Sequence, residues 1–349
     1  MVNKVILFVI LASLPSIIVS EKMSHVKIKI NGQIYNCVDF YKQPSFNQSL
    51  SKAIPNIVKV QQQNRAIWSG PKSRGCPIGT VPILDRLKVK MDRHVDLQSY
   101  HTPPPLHDLV QCSAVYRTVD DDSRKKFLGA NAHISLYNPN NVKTDQWSSA
   151  RIKLINGFDS IEAGWMVNPD EYKDNYPHLY ASFTAGEKGC ISLDCPGFMQ
   201  VSTDIPLGTT SKKYSTIGGE QSIWNISITK RENGHWWLSI KDGYKIGYWP
   251  ESLFTTLKDV AHQVEFGGEI NTPKAVDPEP SMGNGLKPSP NNHHSACFTF
   301  VTVVDEDSKH VDPLDTENFN NCESQYLVRD YGYRDDLGRV ICYGGPRSE

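Results

Sequence analysis

Residues 224–249 read WNISITKRENGHWWLSIKDGYKIGYW. Trp224, Ile226 and Ile228 alternate with Asn225, Ser227 and Thr229. Successive side chains of a strand point to opposite faces, so this period of two describes a strand with one apolar face. Glu232-Asn233-Gly234 follows, and Asn-Gly is a strong hairpin signal because both residues tolerate positive φ. Trp236–Ile240 is then a second strand, and Asp242-Gly243 turns the chain into a third, Tyr244–Trp249. Tight two-residue connections join antiparallel neighbours.

The same pattern extends outward from about Leu109. Further strands are expected over Phe127–Tyr137, Ile152–Phe158, Ser160–Val167, Leu179–Thr184, Gln263–Ile270 and Cys297–Val304. Only Glu251–Val260 reads as helical, and Pro273–Asn292 reads as a long surface loop. Many short strands separated by turns give an all-β sandwich or barrel.

The N-terminus is organised differently. Lys4, the apolar run Val5–Leu14 and the small residues up to Ser20 have the layout of a secretory signal peptide, residues 1–20. The run is shorter than the ~20 apolar residues of a membrane span. Residues 21–100 form a mixed unit with two cysteines, Cys37 and Cys76. Its polar, basic end, Leu87–His107, carries the Pro run His101–Leu106 and reads as a linker. Residues 101–349 hold the β domain. The eight cysteines contain no Cys-x-x-Cys and read as disulfides of an exported chain, and His293, His294 and Cys297 lack a second ligand pair for zinc. No metal or cofactor is expected. Asn47 and Asn225 stand in glycosylation sequons. A net charge of −1 with mixed signs offers no basic stripe for nucleic acid. A secreted protein, with no membrane partner, is expected.

No Gly-x-Ser-x-Gly, His-Glu-x-x-His or phosphate-binding glycine loop occurs, which leaves carboxylates as candidate chemistry. In Ile161-Glu162-Ala163-Gly164-Trp165, Glu162 and Gly164 share the face opposite Ile161, Ala163 and Trp165. In Val264–Ile270, Glu265, Gly267 and Glu269 share the face opposite Val264, Phe266 and Ile270. Glycine inside a strand often marks a close approach by another backbone or a ligand, so the two glutamate faces are candidates for the floor of a cleft. An ordinary solvated face is the plainer alternative. Asp305-Glu306-Asp307 reads as a solvated strand end. Trp236, Trp237 and Trp249 could stack on sugars or pack in a core.

Seven segments resemble the neprosin family of secreted plant peptidases. Cys37–Pro44 and Cys76–Ile83 resemble its N-terminal activation segment. Ile161–Trp165, Cys190–Phe198, Phe266–Ile270, Met282–Gly285 and Tyr343–Pro346 resemble its C-terminal domain. The resemblance implies an antiparallel β-sandwich and a glutamic endopeptidase, made as a zymogen, active in acid and directed to proline. It assigns the catalytic pair to Glu162 and Glu269, with Glu265, Trp165, Gly267 and Gly268 in support, and protein or peptide as substrate. Residues 179–190 depart from the family, which carries an Arg and a Trp there. The alternative is a non-catalytic or glycan-binding sandwich of the same family.

The resemblance also implies disulfides Cys190–Cys195 and Cys322–Cys342. Cys37–Cys76 then stays within the N-terminal unit and Cys112–Cys297 remains. The N-terminal unit is expected to act as an intramolecular inhibitor lying over the glutamate face. The two catalytic carboxyls should share a water, and at least one should be buried with a raised pKa.

Overall fold

A computed structural model describes residues 26–50, 54–67, 75–85, 109–120, 125–139, 141–241, 243–273, 279–322 and 324–346. The expected signal segment and the Leu87–His107 linker lie outside the described residues. The elements in chain order are β1 (Lys27–Ile30), β2 (Gln33–Asp39), α1 (Ile57–Ile67), β3 (Thr80–Leu84), β4 (Leu109–Thr118), β5 (Gly129–Ser135), β6 (Trp147–Asn156) and β7 (Asp159–Val167). After α2 (Pro169–Tyr172) come β8 (His178–Ala185), β9 (Lys188–Ile191), β10 (Met199–Gln200), β11 (Ile223–Lys230), β12 (Trp236–Ile240) and β13 (Tyr244–Trp249). The chain ends with β14 (Gln263–Pro273), β15 (Ala296–Val304), β16 (His310–Val311), β17 (Thr316–Asn320), β18 (Leu327–Arg334) and β19 (Gly338–Gly344).

Two antiparallel sheets form the β-sandwich. Among the described residues one runs β17-β4-β14-β6-β7-β8-β9. The other runs β10-β13-β12-β11-β5-β15-β19-β18, with β16 beside β15. The alternation seen in residues 224–249 places Ile226, Ile228, Trp236, Leu238 and Trp249 inward. From the opposite sheet they meet Ile152, Leu154, Ile161, Trp165 and Phe266. Trp165, Trp236 and Trp249 are fully buried. Removing about 150–250 Å² of each from water contributes on the order of 4–6 kcal/mol at ~25 cal/mol per Å².

Two expectations about elements change in the structure. The Glu251–Val260 helix is a single 3₁₀ turn, Glu251–Leu253. Beyond it, Oδ2 of Asp159 accepts the backbone N–H groups of Thr255, Thr256 and Leu257 at 2.7, 2.6 and 3.1 Å. These donors are thereby taken from a helix, while Phe254 and Leu257 drop into the core. The stretch after β14 is not wholly a surface loop, because Met282 is fully buried and packs under Gly268. The α1 helix was not evident because its inward face is half polar: Ile57 and Val60 are buried beside Gln61 and Asn64.

Four disulfides close the molecule. Cys37–Cys76 and Cys190–Cys195 are formed. The expected Cys322–Cys342 and Cys112–Cys297 are replaced by Cys112–Cys322 and Cys297–Cys342. Strand register decides this. Cys297 and Cys342 are direct partners across β15 and β19, with Cα atoms 4.0 Å apart. Cys112 faces the core from β4 in the other sheet, and Cys322 follows β17, the neighbour of β4. A disulfide spans Cα atoms no more than ~6.8 Å apart, less than the ~10 Å between stacked sheets.

The N-terminal unit docks on the sheet away from the glutamates. Phe40, Ile57, Val60 and Val81 pack on Met199, Val201, Trp237 and Tyr248. Tyr248 and Trp237 alternate with core residues, so this is the outer face of the β10-β13-β12 edge. Side-chain amides complete the contact. Gln61 donates to the Val201 carbonyl at 3.0 Å, and Asn64 both donates to and accepts from the Lys245 backbone. Trp237 is therefore covered by the chain itself, and none of the three tryptophans is open to stack on a sugar.

Candidate active site

The site is the outer face of the seven-stranded sheet, where β7, β6 and β14 lie side by side. On the core face β6 carries Ala150, Ile152 and Leu154, which leaves Ser149, Arg151 and Lys153 on the other. Register then fixes the neighbours. Lys153 is opposite Glu162 on β7 and Glu265 on β14, and Ser149 is opposite Glu269. Arg151 is opposite Gly164 on one side and Gly267 on the other. A Cβ at Gly164 would lie 1.8 Å from the Ala150 carbonyl oxygen, and one at Gly267 2.2 Å from that of Ala114. Only glycine allows strands this close. With no side chain directly across on either side, the guanidinium reaches the diagonal positions instead.

Three glutamates converge on it. Arg151 Nη2 and Nε donate to Glu269 Oε2 at 2.6 and 2.8 Å. Its Nη1 donates to Glu265 Oε2 at 2.9 Å, and its Nε lies 3.2 Å from Glu162 Oε2. Glu162 and Glu269 thus touch one nitrogen, so these oxygens are at most about 6 Å apart, the two distances laid end to end. Glu162 Oε1 accepts from Tyr180 Oη at 3.2 Å and Ser182 Oγ at 3.0 Å, both from β8. Lys153 Nζ lies 3.8 Å from Glu162 Oε2. Gln111 on β4 donates to Glu269 Oε1. Arg151, Glu265 and Glu269 are all buried, while the Glu162 side chain keeps 15% of its surface exposed.

The electrostatics follow from these contacts. Burial pushes the Glu269 carboxyl upward, but the Arg151 guanidinium, aided by Lys153 and Gln111, outweighs it and holds Glu269 below the ordinary carboxylate value. The expectation of a raised pKa on a buried member of the pair is therefore not met at Glu269. Burial works against the charge on Arg151, yet Glu269, Glu265 and Glu162 together make that proton harder to remove. Tyr180 is pushed up by burial and by Glu162, and stays a hydroxyl donor.

Of the residues singled out in the sequence, Glu162, Glu265, Glu269 and Gly267 come together on this face. Trp165 and Gly268 lie on the other. Trp165 Nε1 donates to the Ser135 carbonyl across the core at 3.0 Å, and Gly268 lies against Met282 and Tyr343. Sequence reading missed Arg151, Gln111, Tyr180 and Ser182. The last two belong to the stretch 179–190 that departs from the family, which folds as β8 and β9 and supplies partners to Glu162. Arg151 had a visible signal in the alternation of Ser149, Arg151 and Lys153 with apolar residues.

Asp305-Glu306-Asp307 ends β15 as an exposed turn closed by Lys309. Asn47 and Asn225 are half-buried, on the N-terminal unit and β11. The described part of the N-terminal unit packs through Phe40, Ile57, Val60 and Val81 on the other sheet, and so does not lie over the glutamates as expected. Among the described residues no helix is long and apolar enough to cross a membrane.

An antiparallel β-sandwich with a buried carboxylate cluster on one outer face defines the class. The neprosin family model matches residues 144–346, and the chain belongs to the neprosin family. Two structures of scytalido-glutamic peptidase with transition-state-analogue inhibitors are similar at 10% identity. Their TM-scores are 0.39 and 0.38, over 68% of this chain and 100% and 98% of theirs. SCP-B, an eqolisin-family peptidase in complex with the tripeptide Ala-Ile-His, matches at 9% identity and a TM-score of 0.36, over 66% of this chain and 96% of its own. Likeness this low speaks for neither substrate nor mechanism.

Proposed function

We propose that this chain is a glutamic endopeptidase in which Glu162 and Glu269 act on one water. The observation that carries the reading is the convergence of both carboxylates on a single arginine nitrogen, within reach of a shared water. In the step envisaged, the water oxygen bonds to the peptide carbonyl carbon as one glutamate takes a water proton. The other glutamate gives its proton to the carbonyl oxygen. Collapse of the tetrahedral adduct breaks the C–N bond: the amine leaves with the proton first taken from water, and one hydroxyl proton of the adduct returns to the second glutamate. Two carboxyls close together do not both ionise cheaply, so a pair holding one proton suits acid conditions.

The finer proposals are cleavage after proline, secretion, and a zymogen cut between the N-terminal unit and β4. A zymogen is compatible with the disulfides, since Cys37–Cys76 closes within the N-terminal unit and the other three close within the sandwich. The test is incubation of the purified, processed chain with a denatured, proline-containing protein in acid, with a metal chelator present. New termini mapped by mass spectrometry, enriched after proline, are the expected result. An intact substrate across the acid range refutes the reading.

A further inference from the structure

On the three central strands five charged side chains share the glutamate face: Arg151 and Lys153 on β6, Glu265 and Glu269 on β14, and Glu162 on β7. Three carboxylates face two cations, so the cluster carries one surplus negative charge and a single proton neutralises it. The contacts are unequal. Glu269 takes two N–H donors of the guanidinium on one oxygen and the Gln111 amide on the other. Glu265 takes the third guanidinium contact. From the two cations Glu162 has only the 3.2 Å approach of an Nε already committed to Glu269, and Lys153 at 3.8 Å; its other donors are the neutral hydroxyls of Tyr180 and Ser182 at 3.2 and 3.0 Å. It is also the most exposed of the three.

We propose that Arg151 is the positioning residue of the glutamate pair: its guanidinium clamps Glu269 in the charged state, and Glu162 is left as the member that takes the proton. This rests on the peptidase reading and assigns the roles within it. Glu269 becomes the base that receives the water proton, and Glu162 the acid that protonates the carbonyl oxygen. Two charge-assisted N–H donors converge on Oε2 while the Gln111 amide holds Oε1, so the contacts fix the orientation of the carboxylate as well as its charge. Glu265 has a defined part in this: it holds the far end of the fork, so that Arg151 cannot swing toward Glu162. The groups facing Glu269 are Arg151 and Lys153 from β6, Glu265 from its own strand, Glu162 from β7, Tyr180 from β8 and Gln111 from β4. Tyr180 stays neutral, and Arg117 on β4 is engaged by Glu317 at 2.7 Å.

The sign follows directly. The clamp holds Glu269 charged as pH falls, so activity should persist deep into acid. Without it, burial has no opponent, Glu269 protonates sooner and the acid limb moves to higher pH. The test compares wild type with Arg151→Gln and Arg151→Lys, the latter keeping the charge but losing the fork. Two readouts are taken on full-length protein cut between residues 85 and 109: the pH profile of kcat/KM, and the carboxyl-carbon titrations of Glu162 and Glu269 by NMR, assigned with Glu→Gln variants. Arg151→Gln should lose about tenfold or more activity at the acid end relative to its own optimum, with Arg151→Lys intermediate. The Glu269 titration should move upward in the same order, with Glu162 protonating first in wild type. An unmoved Glu269 titration in either folded variant, or Glu269 protonating before Glu162 in wild type, overturns the proposal. Were wild type inert on peptides, the peptidase reading would fail, while the titrations would still decide the role of Arg151.

Discussion

Replacing Arg151 with Met separates the electrostatics of the site from its packing. Met roughly keeps the volume of the side-chain stem but removes the guanidinium. Lost are two bonds to Glu269 at 2.8 and 2.6 Å, one to Glu265 at 2.9 Å and the 3.2 Å contact to Glu162. Lys153 is the one site cation left, against three carboxylates of which two are buried. Removing one partner of a buried ion pair costs about 3–5 kcal/mol, because the remaining charge stays without compensation. The pH dependence has a definite sign. The depressed Glu269 carboxyl gives wild type a stability that is complete above the unfolded value of about 4.3 and is lost as pH falls through the lower folded value. In the variant Glu269 prefers to be protonated, so its burden is greatest at neutral pH and is relieved in acid. Urea unfolding followed by fluorescence of the buried tryptophans, at neutral pH and in acid, should show a gap of about 3–5 kcal/mol that closes as pH falls. A gap that is the same at both pH values, or under about 1 kcal/mol at neutrality, refutes this account of the cluster.

Two further outcomes are expected. Gly164→Ala places a methyl on the Ala150 carbonyl and must push β6 and β7 apart, so it should cost about 1–3 kcal/mol and lower activity, whereas Ala at Gly189, where a Cβ would meet nothing nearer than the Phe183 carbonyl oxygen at 3.4 Å, should leave activity unchanged. Non-reducing peptide mapping should return Cys112–Cys322 and Cys297–Cys342, and Cys112→Ser/Cys322→Ser should lose about 2–5 kcal/mol because that bridge closes a separation of 210 residues; recovery of a Cys112–Cys297 peptide would show the strand register to be wrong.

The strands of the sandwich were legible because their side chains obey local rules. Trp224–Ile240 alternates cleanly, and the turns on either side of β12 contain Gly234 and Gly243 at positive φ; a bulge then shifts the register within Tyr244–Trp249. The glutamate faces were legible for the same reason, since alternation puts Glu162 with Gly164 and Glu265 with Gly267 and Glu269. What alternation cannot say is which strands are neighbours. β14 enters between β4 and β6, more than 100 residues away in the chain, and only that insertion brings Glu269 to Arg151. Two of the four cysteine pairs failed for the same cause, Cys112–Cys322 and Cys297–Cys342 being fixed by which strands are neighbours. The missing helix at Glu251–Val260 had a different origin, a distant carboxylate, Asp159, that captures three of its backbone donors. The docking side of the N-terminal unit was also non-local, set by Met199, Trp237 and Tyr248 from three strands of the far sheet.

The central claim is that Glu162 and Glu269 do the chemistry. Its most direct measurement is the rate of peptide cleavage in acid by Glu162→Gln and Glu269→Gln, each shown to be folded by circular dichroism. Glutamine keeps the shape and hydrogen-bonding reach but cannot exchange the proton, so each variant should fall by about 10²–10⁴-fold or more. Near-normal cleavage by either variant contradicts the account.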